Sequence, residues 1–362
     1  MKEPRQKQST IIRQLREQIV RGDWQPGQRL PSRGEFEIST GASRVTVQKI
    51  FDRLAKEGFI EVQGRRETRV ATSPPHLSRY SIAFAAHPSE PRRWNRFWTV
   101  LSDVARSVRR TDGSLAIDVF YNLDGHTDVR EYGELLMAGR HHLLAGMIFV
   151  GPTPLLTQAP LLRERLVPRV LISRPSKLLE GLDVSLVMPD TSSYYEKAAA
   201  HLASRGCGSI AIVMPGGEDY EAKVAPTLAR HGLTCPPYWR HSVLPESRQT
   251  VSALLHLLMR NPEDRPSGLI IADDHFTDAA ATGLMAAGVR VPQDLEVVVH
   301  ENFPSHVESM MPFKRLGFDA REVVEACVRL IDQERQTGER ATQPVLIPAH
   351  FVDELNLGIR HA

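Results

Sequence analysis

Between residues 81 and 300 the sequence returns eight times to a run of five to seven mostly apolar residues: Ser81–Ala85, Leu115–Tyr121, Gly146–Gly151, Val167–Ser173, Val184–Met188, Ser209–Met214, Gly268–Ala272 and Leu295–His300. Amphipathic helical patterns separate them. Short Val/Ile/Leu-rich runs alternating with helices are the signature of parallel βαβ units, whose strands are buried on both faces. The fold class is therefore α/β. Eight or more strands over some 280 residues exceed one comfortable sheet, so two doubly wound lobes are expected, with ligand chemistry at the carboxyl ends of the strands.

The first seventy residues follow a different period. Ile11, Ile12, Leu15, Ile19 and Val20 recur at helical spacing before Gly22, a stop signal. Pro26-Gly27 marks a turn, and Ser32 with Glu35 forms the S-x-x-E capping box of a short second helix ending near Thr40-Gly41. Ser43 is an N-cap for a third helix, in which Val47, Ile50, Phe51 and Leu54 make one buried stripe, and Gly58 ends it. Phe59–Val62 and Thr68–Ala71 read as strands around a Gly64–Glu67 turn. Three helices and a β-hairpin make a winged helix-turn-helix.

With that stripe inward, helix three turns Ser43, Arg44, Thr46, Gln48 and Lys49 outward. These side-chain types read base edges in a major groove, and a helix N-terminus favours phosphate. Arg44 suits guanine or a phosphate, Gln48 suits adenine, and Arg65 and Arg66 in the wing turn suit the DNA backbone or the minor groove. Charge agrees. Residues 1–75 hold 15 Lys and Arg against 9 Asp and Glu, whereas the rest of the chain holds 30 against 34. A basic head on a slightly acidic body points to a polyanion partner for the head alone.

Residues 11–71 resemble the GntR-type winged-helix domain. The resemblance lies in Ile19-x-x-Gly22-x-x-x-Pro26-Gly27-x-x-Leu30-Pro31-Ser32, Gly41-Ala42-Ser43-Arg44-x-Thr46-Val47, Leu54-x-x-Glu57-Gly58-Phe59-Ile60 and Thr68-Arg69-Val70. It implies DNA contacts from arginines at the start of helix two, after the serine of helix three, and four residues later. Arg44 keeps the second. Gly34 and Gln48 replace the other two, and Arg33, beside Ser32, is the substitute for the first.

After TSPPHLS, a Pro- and Ser-rich linker, residues 80–355 resemble the sensor domain of the LacI/GalR regulators, whose fold is that of periplasmic sugar-binding proteins. The matching segments are Gly146-Met147-Ile148, Val170 to Pro175, Asp190 with Ala198-x-x-His201-Leu202-x-x-x-Gly206, Ala272-Asp273-Asp274 and Gly288-x-x-Val291-Pro292-x-Asp294-Leu295-x-Val297-Val298. The resemblance implies a head (1–72), a linker (73–79) and a sensor (80–362), with lobe one at 80–187 plus 318–340 and lobe two at 188–317 plus 341–362. It further implies a small-molecule effector between the lobes, a homodimer, and a repressor acting on a double-stranded DNA operator.

Candidate effector ligands are Trp94, Tyr121, Arg174, Asp190, Tyr220, Asp274 and Glu301, all at expected strand ends. Asp274 and Arg174 keep the family's residue types. Ser173, Tyr220 and Glu301-Asn302 depart from them. Trp94, Tyr121 and Tyr220 are expected to stack on a sugar face, and Asp190 and Asp274 serve equally well as helix caps.

The chain has no nucleophile elbow, P-loop, G-x-G-x-x-G after the first strand or H-E-x-x-H, and no lysine in a recognisable Schiff-base setting, so neither an enzyme nor a cofactor is expected. Asp273-Asp274-His275 with Asp278 imitates a metal cluster but reads more simply as acidic residues at a helix N-terminus. The polar start, the absence of a long uncharged apolar run, and three scattered cysteines lead to the expectation of a soluble cytoplasmic protein without disulfides. Apolar residues at 41% and charged residues at 24% are those of a folded chain.

Overall fold

The computed structural model describes residues 3–63, 67–90, 93–108, 115–216, 219–305 and 309–355. They fall into two compact units, one of residues 1–87, 105–187 and 326–344, the other of residues 88–104, 188–325 and 345–362.

The first unit begins with the head. Helix α1 (Glu3–Arg21), α2 (Arg33–Thr40) and α3 (Arg44–Lys56) precede the antiparallel hairpin β1 (Ile60–Gln63) and β2 (Glu67–Val70), in which Ile60 pairs with Val70. The capping box forms as the spacing requires: the Ser32 amide donates to Glu35 Oε2 at 2.7 Å, and the Glu35 amide donates to Ser32 Oγ at 3.3 Å. Gly41 closes α2 in the left-handed region at φ 59°. Ile11, Ile12, Leu15, Ile19, Leu30, Phe36 and the α3 stripe Val47, Ile50, Phe51 and Leu54 share one buried cluster. Beneath it, the guanidinium of Arg16 grips the Glu57 carboxylate with both sides of its fork, the Nε bond being 2.9 Å; both side chains are under a tenth exposed.

The expected linker is not extended throughout. Pro75–Ser78 makes one helical turn, α4, started by a proline at its first position, and runs straight into β3 (Arg79–Phe84). His76 on that turn is buried, stacks on Phe59 at 6.0 Å between centroids, and its carbonyl accepts from Arg335 Nη1 at 3.0 Å. Leu143 also packs against the head's core. The Pro- and Ser-rich composition does not leave the segment without structure, because His76 on it is buried.

The sensor region alternates as read: α5 (Arg96–Ser107), β4 (Ala116–Phe120), α6 (Arg130–Arg140), β5 (Gly146–Val150), α7 (Pro154–Gln158), α8 (Pro160–Arg163), β6 (Arg169–Ile172) and β7 (Ser185–Pro189). There follow α9 (Thr191–Ser204), β8 (Ile210–Pro215), α10 (Ala225–Arg230), β9 (Arg240–Val243), α11 (Thr250–Leu258), β10 (Gly268–Ile271), α12 (Thr277–Ala286), β11 (Glu296–Phe303), β12 (Lys314–Asp319), α13 (Ala320–Thr337), β13 (Val345–Ile347) and β14 (His350–Phe351).

In the first unit β7, β6, β5, β3 and β4 lie side by side in that order, all parallel. In the second the order is β14-β12-β11-β10-β8-β9, parallel except for β14. Each sheet steps outward in both directions from its first strand, the doubly wound pattern that opens a crevice where the strand order reverses. The centres of both sheets are apolar to the point of exclusion: β5 and β10 are buried along their whole length.

Candidate functional site

Two places gather the chemistry, one in each unit. On the head, α3 is started by Ser43, whose Oγ accepts from the Thr46 amide at 3.3 Å and lies 3.0 Å from Thr46 Oγ1. These two hydroxyls are thus used in capping. Gln48 Nε2 donates to Asp52 Oδ1 at 2.6 Å. Arg44 and Lys49 are both exposed on α3. Ser32 is spent on the α2 capping box, and Arg33 holds its guanidinium 5.8 Å over the Phe51 ring. Arg65 and Arg66 lie outside the described residues.

The second place is a cavity of about 310 Å³ in the second unit, near the carboxyl ends of β10 and β11. Asp274 and Glu301 both line it, joined by Arg96, Asn302, Arg315 and Thr277. Asp274 follows β10 and is 8% exposed; Asn302 Nδ2 donates to its Oδ2 at 2.7 Å. Burial by itself would raise the Asp274 pKa, but the His275 hydrogen bond and the nearby His300 and His275 charges hold it below the ordinary carboxylate value. His275 is the counterweight: Nδ1 lies 2.7 Å from Asp273 Oδ1 and 3.2 Å from Asp274 Oδ1. Those bonds, Asp273 first, push its pKa up to about 9. The triad Asp273, Asp274 and His275 has the spacing of a metal site, its ligand atoms lying within 4.8 Å of one another, yet the imidazole already serves both carboxylates.

The remaining walls are fixed by ion pairs. Arg96, at the start of α5, donates to the Asp274 carbonyl at 2.9 Å and to Asp278 Oδ2 at 3.0 Å. Arg315 Nε sits 3.6 Å from Glu301 Oε2, both side chains well buried. Gly317 is paired with Glu301 across β12 and β11, where an added Cβ would stand 1.7 Å from the Glu301 carbonyl oxygen. Only glycine admits that approach. Acceptor carboxylates thus face donor guanidiniums around a small volume, an arrangement that suits a neutral ligand bearing several hydroxyls.

The other expected ligands lie elsewhere. Asp190 caps α9, accepting from the Ser192 and Ser193 amides at 3.0 and 3.2 Å, so its capping role is the one seen. Tyr220 lies under the Arg240 guanidinium at 4.1 Å. Trp94 donates to Thr99 Oγ1 at 2.7 Å and meets Trp98 edge-on. Tyr121, in the first unit, stacks on Phe84, meets His87 edge-on and takes a hydrogen bond from Arg106. Arg174, also in the first unit, is exposed. No Trp, Tyr or Phe is among the described residues lining the cavity. Arg96, Thr277 and Arg315 escaped sequence reading: Arg96 and Thr277 are helix residues without a motif, and Arg315 lies on β12, whose Lys-Arg start and internal glycine hide a buried strand.

A winged-helix head whose third helix exposes Arg44 and Lys49 is joined in this chain to a doubly wound α/β body that holds a polar cavity. Residues 7–70 match the family of bacterial regulatory proteins called gntR, and residues 199–353 match a periplasmic binding protein-like domain. The chain thus carries a gntR-type regulatory domain at residues 7–70 and a periplasmic binding protein-like domain at residues 199–353.

The fold is similar to that of a LacI-family regulatory protein from Chloroflexus aggregans, at 17% identity and TM-score 0.57 over 75% of this chain and 96% of that one. It is similar also to a LacI-family regulator from Lactobacillus casei with bound glucose, at 15% identity and TM-score 0.51 over 76% and 98%. A fatty acid metabolism regulator protein of Klebsiella pneumoniae is 24% identical over 153 residues, 38% of this chain, and the match spans 62% of that relative's length. Among the described residues no helix is long and apolar enough to cross a membrane.

Proposed function

We propose that the chain is a sequence-specific regulator of transcription, a repressor, that binds an operator through α3 and its wing and releases or engages it when a small, sugar-like effector fills the cavity around Asp274. The observation that carries this reading is the buried Asp274 carboxylate, held ionised and aimed with Glu301 into a polar cavity, in a chain whose head presents Arg44 and Lys49 on an exposed helix face. A carboxylate accepts two hydroxyl hydrogen bonds at once, and bonds to a charged group contribute about 1.5–3 kcal/mol each. The glucose in the Lactobacillus casei relative supports the ligand class.

On this reading residues 1–72 are the head and 80–362 the sensor, and the protein works in the cytoplasm as a homodimer. One small head buries too little surface for tight specific binding, and two-fold proteins read two-fold operators.

The test is a selection of duplex DNA by the full-length protein, followed by titration of the selected site with and without a panel of sugars and sugar derivatives. A near-palindromic site whose occupancy changes with one of them is the expected result. A selected site indifferent to the whole panel, with no thermal stabilisation by any member, would favour a constitutive regulator that senses nothing.

A further inference from the structure

We infer that Val45 reads the 5-methyl group of a thymine in the major groove and is a specificity-determining residue of the head; this rests on the DNA-binding reading above. Val45 is 64% exposed, on the first turn of α3. At 3.6 residues per turn, the buried residues Val47, Ile50, Phe51 and Leu54 define one side of the helix. Val45 falls at the middle of the opposite side, flanked by Arg44, Gln48 and Lys49.

Its polar neighbours are partly occupied. Ser43 and Thr46 cap the helix, and Gln48 is bonded to Asp52. A β-branched residue on an exposed helix face adds nothing to the helix, since valine loses side-chain freedom there and ranks well below alanine in propensity. It also leaves apolar surface in water, at the one end of the helix that enters a groove. Among groups in the major groove, only the thymine methyl offers an apolar partner. Burying it against a valine removes water from both, with no hydrogen bond required. The contact would separate thymine from cytosine, and from adenine and guanine, at one position of each half-site.

The experiment uses the full-length protein and the site obtained by selection from random duplexes. Each thymine is replaced singly by deoxyuridine, which removes the methyl and keeps the base pair. We expect one thymine per half-site at which this change weakens wild-type binding about fourfold, the effect of burying one methyl-sized group. Val45→Ala should bind thymine and deoxyuridine sites equally, and Val45→Thr, which keeps one methyl, should retain part of the difference. Unaltered thermal unfolding of both variants is expected from the exposure of the side chain, and should Val45→Ala unfold early, Val45→Thr carries the comparison. The inference is overturned if no thymine is sensitive to deoxyuridine, or if either variant keeps the full wild-type difference. A selection that enriches no sequence would instead overturn the regulator reading, and this inference with it.

Discussion

The side-chain amide of Asn302 donates to Oδ2 of Asp274 at 2.7 Å, with both residues buried on the wall of the polar cavity. It leaves the rest of the carboxylate to other partners and fixes the direction in which it faces. Asp274→Asn is expected to weaken the effector at least tenfold in calorimetric titration, because a charged acceptor worth roughly two ordinary hydrogen bonds is lost. Operator affinity without effector should stay at the wild-type value. A variant that answers the effector at wild-type concentrations would remove Asp274 from the site, and one that also fails to bind DNA would make it structural.

His275 predicts a pH dependence of opposite sign to that of a buried neutral histidine. Its folded pKa of about 9 lies above the ordinary 6.5, so its ion pairs with Asp273 and Asp274 stabilise the fold fully below pH 6.5, and that stabilisation is lost as the pH rises to about 9. Urea unfolding between pH 6 and 10 should show a decline in wild type that His275→Gln lacks. Parallel curves for the two proteins would contradict the pairing.

Gly317→Ala tests the cavity wall. The new methyl would stand 1.7 Å from the Glu301 carbonyl oxygen, so β12 must move from β11. We expect a loss of stability of about 1–3 kcal/mol or more, and a loss of effector binding, since both Glu301 and Arg315 line the cavity on those strands. An unchanged melting temperature would mean that the strands separate without cost.

His76 ties the head's Phe59 to Arg335 of α13. Burial first, then the Arg335 charge and His142, push its pKa down to about 4. Below pH 6.5 the unfolded chain takes up a proton that the folded chain refuses, so stability falls as pH drops from 6.5 towards 4, by at most about 1.4 kcal/mol per pH unit from this group. His76→Phe keeps the stacking and removes the titration. Its acid-unfolding midpoint should lie at lower pH than that of wild type; an identical midpoint would show that His76 is not the group responsible.

Arg44→Ala is expected to weaken operator binding by about 1–3 kcal/mol if it pairs with a base, and to relax preference at that base alone. Lys49→Ala should instead weaken binding to all sequences and reduce the salt slope by about one. Electrophoretic mobility shifts over a range of salt concentrations separate the two, and wild-type affinity and slope in both variants would place the DNA surface elsewhere.

The head was legible from residues 9–71 because its information is local. A helix stripe, a capping box, a C-cap glycine and a hairpin each occupy fewer than about fifteen residues, and each formed where its spacing placed it. Strands β3 to β8, β10 and β11 were legible for the same reason, each from a local apolar run. Strands β9 and β12 were not. β9 is an edge strand, paired on one side only and polar at its start, and β12 opens with Lys314 and Arg315, so neither carries the apolar run that marks a strand buried on both faces.

Sequence alone determined the winged helix, the alternation of strand and helix, the buried faces, and Asp274 and Glu301 as residues at strand ends, because these follow from periodicity and from which residue types tolerate burial. Tertiary structure decided which polar strand-end residues share a cavity. It brought Arg96 and Arg315 to Asp274 from positions far apart in the chain, used Asp190 as a cap, set Tyr220 beneath Arg240 and Trp94 against Trp98, and buried His76 where composition suggested a linker. The physical reason is that a polar side chain is satisfied by whichever partner the packing of remote elements presents, and spacing along the chain does not encode that partner.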